Sequence, residues 1–337
     1  MNYLVTGAAG FIGFYTAKKL LENGHKVLGI DSINDYYDPA LKYSRLKELG
    51  LNSVSTDLTA SSFYPDLSFA RIEIENEERL FDLAGKFTKE NGPFDRIIHL
   101  AAQAGVRYSL DNPRAYTRSN IEGFLSILEL SRQIKIPHLV YASSSSVYGL
   151  NTKQPFSVHD EVNCPASLYA ASKRSNELMA HAYSHLFGLP VTGLRFFTVY
   201  GPWGRPDMAY FKFSLSMIKG EPIELYNNGD MYRDFTYIDD VCEGILLAAE
   251  RPPLSPEPSA LYNLGNNRPE KLSSFVEVLE NALGKKAEKK YLPMQAGDVY
   301  STSADIEDTK RELGWQPHTN IEDGLKNFAV WFKGNYQ

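Results

Sequence analysis

The sequence predicts an α/β protein: a doubly wound parallel sheet with a smaller α/β lobe attached to it. Three observations carry this. Short apolar runs alternate with longer stretches of helical spacing as far as residue 198. A glycine-rich turn joins the first run to the first such stretch. Beyond residue 198 the alternation breaks, and Gly201, Pro202, Gly204 and Pro206 crowd together. Strands that alternate with helices pack as a parallel sheet covered on both faces.

Taken in order, Asn2–Thr6 is a short apolar run that ends in glycine-rich sequence, and Ile12–Asn23 follows with Ala17, Leu20 and Leu21 on one helical side. His25–Ile30 reads as the second strand. Ser68–Ile72, Asp95–Leu100, His138–Ser143 and Val191–Phe197 read as further strands. Glu77–Glu90, Tyr116–Gln133 and Tyr169–Phe187 have the helical pattern. In the second part, Tyr237–Glu250 and Leu261–Leu264 read as segments that return to the main sheet, and Pro252–Pro258 as a surface loop. Leu51–Leu67 is longer than a connection between two such strands requires, and its role is not legible.

Composition excludes several classes. The chain has 337 residues, 35 Lys and Arg against 41 Asp and Glu, and a net charge of −6. That is no electrostatic footprint for nucleic acid. No apolar run reaches the ~18 residues of a membrane span. Cys164 and Cys242 are too few for a disulfide framework or a metal-ligand set, and they suit a reducing compartment. The first strand begins at Asn2, which leaves no room for a signal peptide. A cytoplasmic protein is expected. Lys285, Lys286, Lys289 and Lys290 form the one dense basic cluster, read as a solvated helix end. His99 and His181 are read as packing or solvent residues, and no metal site is expected.

The turn Gly7-Ala8-Ala9-Gly10-Phe11-Ile12-Gly13 lies between a strand and a helix. The first glycine permits a tight turn, the second lets backbone N–H groups reach a pyrophosphate, and the third lets helix and strand pack closely. The helix N-terminus then faces the negative charge. Asp31 closes the second strand, where a carboxylate accepts hydrogen bonds from ribose hydroxyls and repels a 2′-phosphate; Ser32 and Ile33 follow it, not arginine. The pattern predicts a Rossmann-type site for NAD rather than NADP. Glu73 and Ile74 end the third strand, where an acidic side chain can meet the adenine amine. The dinucleotide domain is assigned to residues 1–190, with later segments near 191–198 and 235–265 returning to it. Residues 199–337 form mainly the substrate lobe.

Tyr169 and Lys173 are four apart and therefore share a helix face. An ammonium beside a phenol favours phenolate and makes tyrosine a base near neutral pH. Ser144, in the run Ser143-Ser144-Ser145-Ser146 at the end of the fifth strand, sits where open α/β sheets place ligands. Its hydroxyl can bond the reacting oxygen and relay the proton.

These residues resemble the signature of extended short-chain dehydrogenases. The strings LAAQAGVRYSLDNP (Leu100–Pro113), YASSSSVYG (Tyr141–Gly149), LRFFTVYGPWGRPDMA (Leu194–Ala209) and RDFTYIDD (Arg233–Asp240) resemble UDP-glucuronate 4-epimerases, through to about Ala249 and more loosely through Ala304–Trp315. Glu73 departs from the family's usual Asp. The resemblance implies cofactor contacts from Phe11, Ile12, Leu100, Ala101, Ala102, Gln103, Asn120 and Ser143. It implies that Arg205 and Arg233 meet the diphosphate, that Tyr226 lines the uracil pocket, and that Asp298 meets uridine or sugar hydroxyls. Arg107 is expected to point into the site.

Sibling dehydratases and decarboxylases carry an acid or base just after the serine or threonine. Here Ser145 and Ser146 stand there, which leaves oxidation at C4, rotation of the ketone and re-reduction. Thr198 replaces the Asn of neutral-sugar epimerases, and with Ser146 it is expected to hold a C6 carboxylate. Other readings stay open: an epimerase of another UDP-sugar, such as an N-acetylhexosamine or its uronic acid, a decarboxylase, or an NAD-binding regulator, which would be expected to lack Tyr169 or Lys173. Helices Tyr116–Gln133 and Tyr169–Phe187 are where the family dimerises, so a homodimer is expected.

Overall fold

In the structure, a computed structural model, residues 1–254, 256, 258–295 and 298–336 are described. The first part of the loop expected at Pro252–Pro258 is open, with Leu254 strongly exposed, while Ser255 and Glu257 lie outside the described residues.

The chain begins with β1 (Asn2–Thr6), α1 (Phe11–Glu22), β2 (Lys26–Asp31) and α2 (Ala40–Glu48). Next come β3 (Thr59–Ala60), β4 (Leu67–Arg71), α3 (Glu77–Asn91) and β5 (Arg96–His99). Two one-turn helices, α4 (Tyr108–Asp111) and α5 (Pro113–Tyr116), run into a π-helical turn over Thr117–Glu122 and then α6 (Gly123–Gln133). β6 (Leu139–Ser144), α7 (Leu168–Phe187) and β7 (Val191–Phe196) follow. The remainder is β8 (Thr198–Tyr200), α8 (Ala209–Lys219), β9 (Ile223–Leu225), β10 (Tyr232–Tyr237), α9 (Ile238–Glu250), β11 (Ser259–Leu264), β12 (Pro269–Lys271), α10 (Leu272–Leu283), β13 (Lys289–Tyr291), α11 (Glu307–Leu313) and α12 (Ile321–Tyr336).

The main sheet has eight strands in the order β11-β7-β6-β5-β1-β2-β4-β3. Every pairing in it is parallel except β3 with β4. All six residues of β6 and of β7 are buried, as expected of strands covered on both faces. The chain leaves β1 toward β2 on one side and returns to β5 on the other. The crevice outside the ends of β1 and β5 is therefore the switch point where such sheets bind ligands.

Local signals fix the helix that carries Tyr169. Ser167 caps α7 by accepting from Ala170 N at 3.1 Å, and Gly188, left-handed at φ 65°, ends it. The expected helix over Tyr116–Gln133 is three pieces, because Pro113 starts a separate turn and the π segment inserts before Gly123. The segment Leu51–Leu67 includes β3, an antiparallel strip that closes the sheet edge next to β4. Of the returning segments, β11 pairs with β7 and α9 packs on α1, but residues 235–237 belong to β10. That strand pairs with β8 and β12 in a separate three-stranded sheet. The lysine cluster lies after α10 rather than in its last turn, and Lys286 and Lys289 both pair with Glu280.

Candidate functional site

Two cavities meet at the carboxyl ends of the central strands. The first, about 440 Å³, is lined by the glycine turn, Asp31, Glu73, Ile74 and the stretch Leu100–Gln103. The second, about 700 Å³, is lined by Arg107, Ser145, Ser146, Thr198, Tyr226, Arg233 and Asp298. Ser144, Tyr169 and Arg205 line both.

The glycine turn has the shape that a diphosphate cradle needs. Gly7 is left-handed at φ 71°, and a Cβ there would lie 2.8 Å from Ala101 N. A Cβ on Gly13 would lie 2.1 Å from Gly7 O. Any side chain at either place would fill the cradle or push the helix from the strand. Thr6 secures the other wall. Its Oγ1 accepts from Leu100 N and Ala101 N, each at 3.1 Å, and pairs with His99 Nδ1 at 2.8 Å. His99 is buried, and burial pushes its pKa down to about 3, so its ring is neutral. Asp31 is the last residue of β2 and accepts from Ala9 N at 3.1 Å and Ile33 N at 2.8 Å. Each carboxylate oxygen keeps lone pairs toward the cavity for ribose hydroxyls. Glu73 and Ile74 lie just past β4 on the same wall. Gly7, Gly13 and Asp31 thus fit a dinucleotide of the NAD type.

Asn120 and Ser143 serve the site from behind. Asn120 is buried away from both cavities, contrary to a direct cofactor contact. Its side chain accepts from Gln103 N at 2.8 Å and donates to Gln103 O at 3.0 Å and Ser172 Oγ at 2.9 Å. The π turn is what brings this amide round to the Gln103 loop. Ser143 borders the first cavity, but its hydroxyl turns inward and donates to Glu177 Oε1 at 2.6 Å.

Tyr169 and Lys173 differ from the sequence expectation in their coupling. Lys173 Nζ donates to Ala142 O at 2.9 Å, at the end of β6, rather than to the phenol. Its burial pushes the ammonium down to about 8, against the pull of Glu177. The Tyr169 phenol is raised by desolvation; Ser144 and the Arg205 guanidinium oppose that rise, and Lys173 is not among the groups that do. The reason is direction: an i,i+4 pair shares a face, but the lysine reaches a carbonyl on the neighbouring strand. Ser144 Oγ donates to Ser146 Oγ at 3.1 Å. The hydroxyls of Ser145 and Thr198 face the second cavity with no partner of their own among the described residues.

The far charges of the second cavity form one group. Arg107 Nη2 meets Asp298 Oδ2 at 3.1 Å, and its guanidinium lies 5.0 Å over the Tyr226 ring. Burial lowers the Arg233 pKa and Arg107 lowers it further, while Asp298 opposes. Two guanidinium groups lining one cavity suit an anionic ligand. Arg205 stands apart from them. It is gripped by Asp207, from Nε at 3.0 Å and Nη2 at 2.6 Å, and Asp207 also accepts from Tyr36 Oη at 3.1 Å. Tyr36 lines both cavities and Asp207 the second. Sequence reasoning passed over both, although one follows Asp31 closely and the other sits in the same string as Arg205. Among the described residues no group of His, Cys, Asp and Glu is placed to hold a metal ion, and no helix is long and apolar enough to cross a membrane.

Comparison with known proteins agrees with this geometry. The profile of the NAD dependent epimerase/dehydratase family matches residues 3–265. A Rhizobium meliloti protein named probable UDP-glucuronate 4-epimerase is 44% identical, over 100% of this chain and 98% of its own. Protein CapI of Staphylococcus aureus is 48% identical over 100% of both chains. The solved UDP-glucuronic acid 4-epimerase of Bacillus cereus, in complex with UDP-glucuronic acid and NAD, is 33% identical, with a TM-score of 0.87 and 100% of both chains covered.

Proposed function

Since the chain belongs to the NAD dependent epimerase/dehydratase family, we propose that it interconverts UDP-glucuronate and UDP-galacturonate by inversion at C4. The observation that carries this reading is the set of short hydroxyls, Ser145, Ser146 and Thr198, lining the second cavity that also contains Tyr169. The names of the relatives, and the sugar bound in the Bacillus cereus protein, support the same substrate.

In this reading Arg107, Arg233, Asp298 and Tyr226 hold the UDP end in the second cavity. Tyr169 takes the proton of the C4 hydroxyl, and Ser144 bonds the same oxygen and relays the proton. Ser144 and Arg205 favour the phenolate form of Tyr169. NAD, bound in the first cavity, supplies the reversible two-electron oxidation of C4. Lys173, buried on α7 with its ammonium at the end of β6, keeps positive charge beside the cofactor wall. The 4-keto sugar turns over while its diphosphate stays anchored, so the hydride would return to the opposite face of C4 while Tyr169 gives its proton back to the C4 oxygen. No net redox change results.

A 4-keto uronate is a β-keto acid and loses CO₂ when the bond to its carboxylate aligns with the carbonyl π system. Hydrogen bonds from Ser145, Ser146 and Thr198 fix that carboxylate out of alignment without offering it an acid. Incubating the purified protein with UDP-glucuronate and resolving the products tests the reading: UDP-galacturonate is expected, whereas a UDP-pentose with released CO₂ makes the protein a decarboxylase. Thr198→Asn should shift preference toward neutral sugars, and an unchanged ratio of kcat/KM for glucuronate over glucose speaks against the role of Thr198.

The reading extends to a cytoplasmic homodimer. Leu125 on α6 and Leu178, Leu186 and Phe187 on α7 are exposed apolar side chains on the two helices through which the resembling family dimerises. A monomer mass by light scattering removes that part of the reading.

A further inference from the structure

Arg45, on α2, is 0% exposed and makes no ion pair among the described residues. A guanidinium has five N–H donors. All are used, and every acceptor is neutral. Nε and Nη2 donate to Trp203 O at 3.0 and 2.6 Å, and Nη2 donates to Gly204 O at 3.2 Å. Nη1 donates to Ala9 O at 2.9 Å and to Tyr37 Oη at 2.7 Å.

These acceptors belong to two different parts of the site. Ala9 is inside the glycine turn of the first cavity. Trp203 and Gly204 immediately precede Arg205, which borders both cavities, and lie just before Asp207, which borders the second. Trp203 is held at φ 59°, a left-handed conformation that a bulky side chain rarely adopts. The paired bonds from Arg45 to its carbonyl are what the structure offers to hold it there. A buried charge with no counter-ion is costly. The turn that Arg45 grips is the one shaped for a diphosphate, so its counter-charge arrives with the cofactor.

We propose that Arg45 is a positioning residue that couples occupancy of the dinucleotide turn to the placement of the loop carrying Arg205 and Asp207. The proposal rests on the NAD site and does not depend on which sugar is the substrate. Filling the turn stabilises the guanidinium, and the guanidinium firms the Trp203–Gly204 carbonyls and the loop that follows them.

The test is hydrogen–deuterium exchange on the full chain stripped of cofactor, with and without saturating ADP-ribose. This probe carries the diphosphate and lacks nicotinamide. In the wild type, exchange over residues 201–208 should slow by about fivefold or more, the lower end of ordinary coupling between sites. In Arg45→Gln at its own saturating concentration it should slow by less than about twofold. Equal slowing in the variant means that the ligand touches the loop directly, and it overturns the proposal. An unchanged wild-type peptide overturns it too, whatever the variants do. Should Arg45→Gln fail to fold, Arg45→Lys serves in its place: the charge stays, but one ammonium cannot span both sets of carbonyls, so coupling should again be lost. No sugar nucleotide is present, so a failed epimerase assay leaves this result standing.

Discussion

Glu177→Gln should destabilise the chain by about 3–5 kcal/mol, the usual cost of breaking a buried ion pair from one side. The size follows from what the carboxylate holds. The side chains of Glu177 and Arg195 are each 1% exposed. Oε1 accepts from Arg195 Nε at 2.8 Å and Ser143 Oγ at 2.6 Å, and Oε2 accepts from Arg195 Nη2 and Arg174 Nη1, each at 2.9 Å. An amide turns one acceptor into a donor that faces a guanidinium. Arg195 then sits buried, uncompensated, with its guanidinium 4.8 Å over the Tyr148 ring. An exposed pair would cost no more than about 1 kcal/mol. Urea unfolding measures the difference as a fall in midpoint at constant slope. A loss below about 1 kcal/mol would mean that the pair is solvated, and the reasoning fails.

The sign of the pH dependence gives a second check. Burial works against the Glu177 charge, but Arg195 outweighs it and holds the carboxyl below its ordinary 4.5. A carboxylate with a depressed folded value stabilises fully above the unfolded value and loses that contribution as pH falls through the folded one. The gap between wild type and Glu177→Gln should therefore be widest above pH 4.5 and close in stronger acid. A gap that widens in acid contradicts the assignment.

Three further outcomes follow from the site. Tyr169→Phe should lower kcat by about 10²–10⁴ if the phenol is the general base, with the UDP-sugar dissociation constant nearly unchanged by calorimetry; a small loss in kcat moves the base elsewhere. Gly13→Ala puts a Cβ 2.1 Å from Gly7 O, so NAD at ~100 times the wild-type dissociation constant should add about 2.7 kcal/mol to the wild type and almost nothing to the variant; equal gains refute the cradle. Burial brings the Lys173 ammonium down to about 8 with Glu177 holding it up, so the rate should decline as pH rises past about 8, and in Glu177→Gln that decline should begin at lower pH; an unmoved alkaline limb shows that the charge on Lys173 is not sensed.

What the sequence made legible was local. The glycine turn, Asp31 at the end of β2 and the serines at the end of β6 occupy the first cavity wall because strand ends and turn residues are written in consecutive positions. The pairing of Tyr169 with Lys173 was legible as a shared face, but not in its geometry, since the acceptor for Lys173 lies on another strand. Tyr36 and Asp207, joined across the second cavity, are 171 positions apart, and neither has a spacing signature. Asn120 was misplaced for a different reason: a π turn shifts its register relative to the α-helix that periodicity suggests. Arg45 drew no reading from the sequence, because nothing in its neighbourhood announces that backbone carbonyls from two distant loops enclose it.

Burial of Tyr169 and Lys173 explains why the links between the cavities carry weight. Desolvation raises the Tyr169 phenol and lowers the Lys173 ammonium, so the chain by itself disfavours both charged forms. A phenolate is thus not the resting state, and a Tyr–Lys pair alone does not make a base. The groups that oppose the rise in Tyr169 are Ser144 and Arg205, which line both cavities. Asp207 offsets part of the charge of Arg205 but fixes its direction, and the loop that bears both is tied to the cofactor turn through Arg45. On the coupling proposed for Arg45, the acidity of the phenol depends on a loop whose placement is shared with the dinucleotide. On the mechanism and the coupling proposed above, proton abstraction is favoured once that turn is filled, which keeps a strong base from forming beside a sugar with no oxidant in reach.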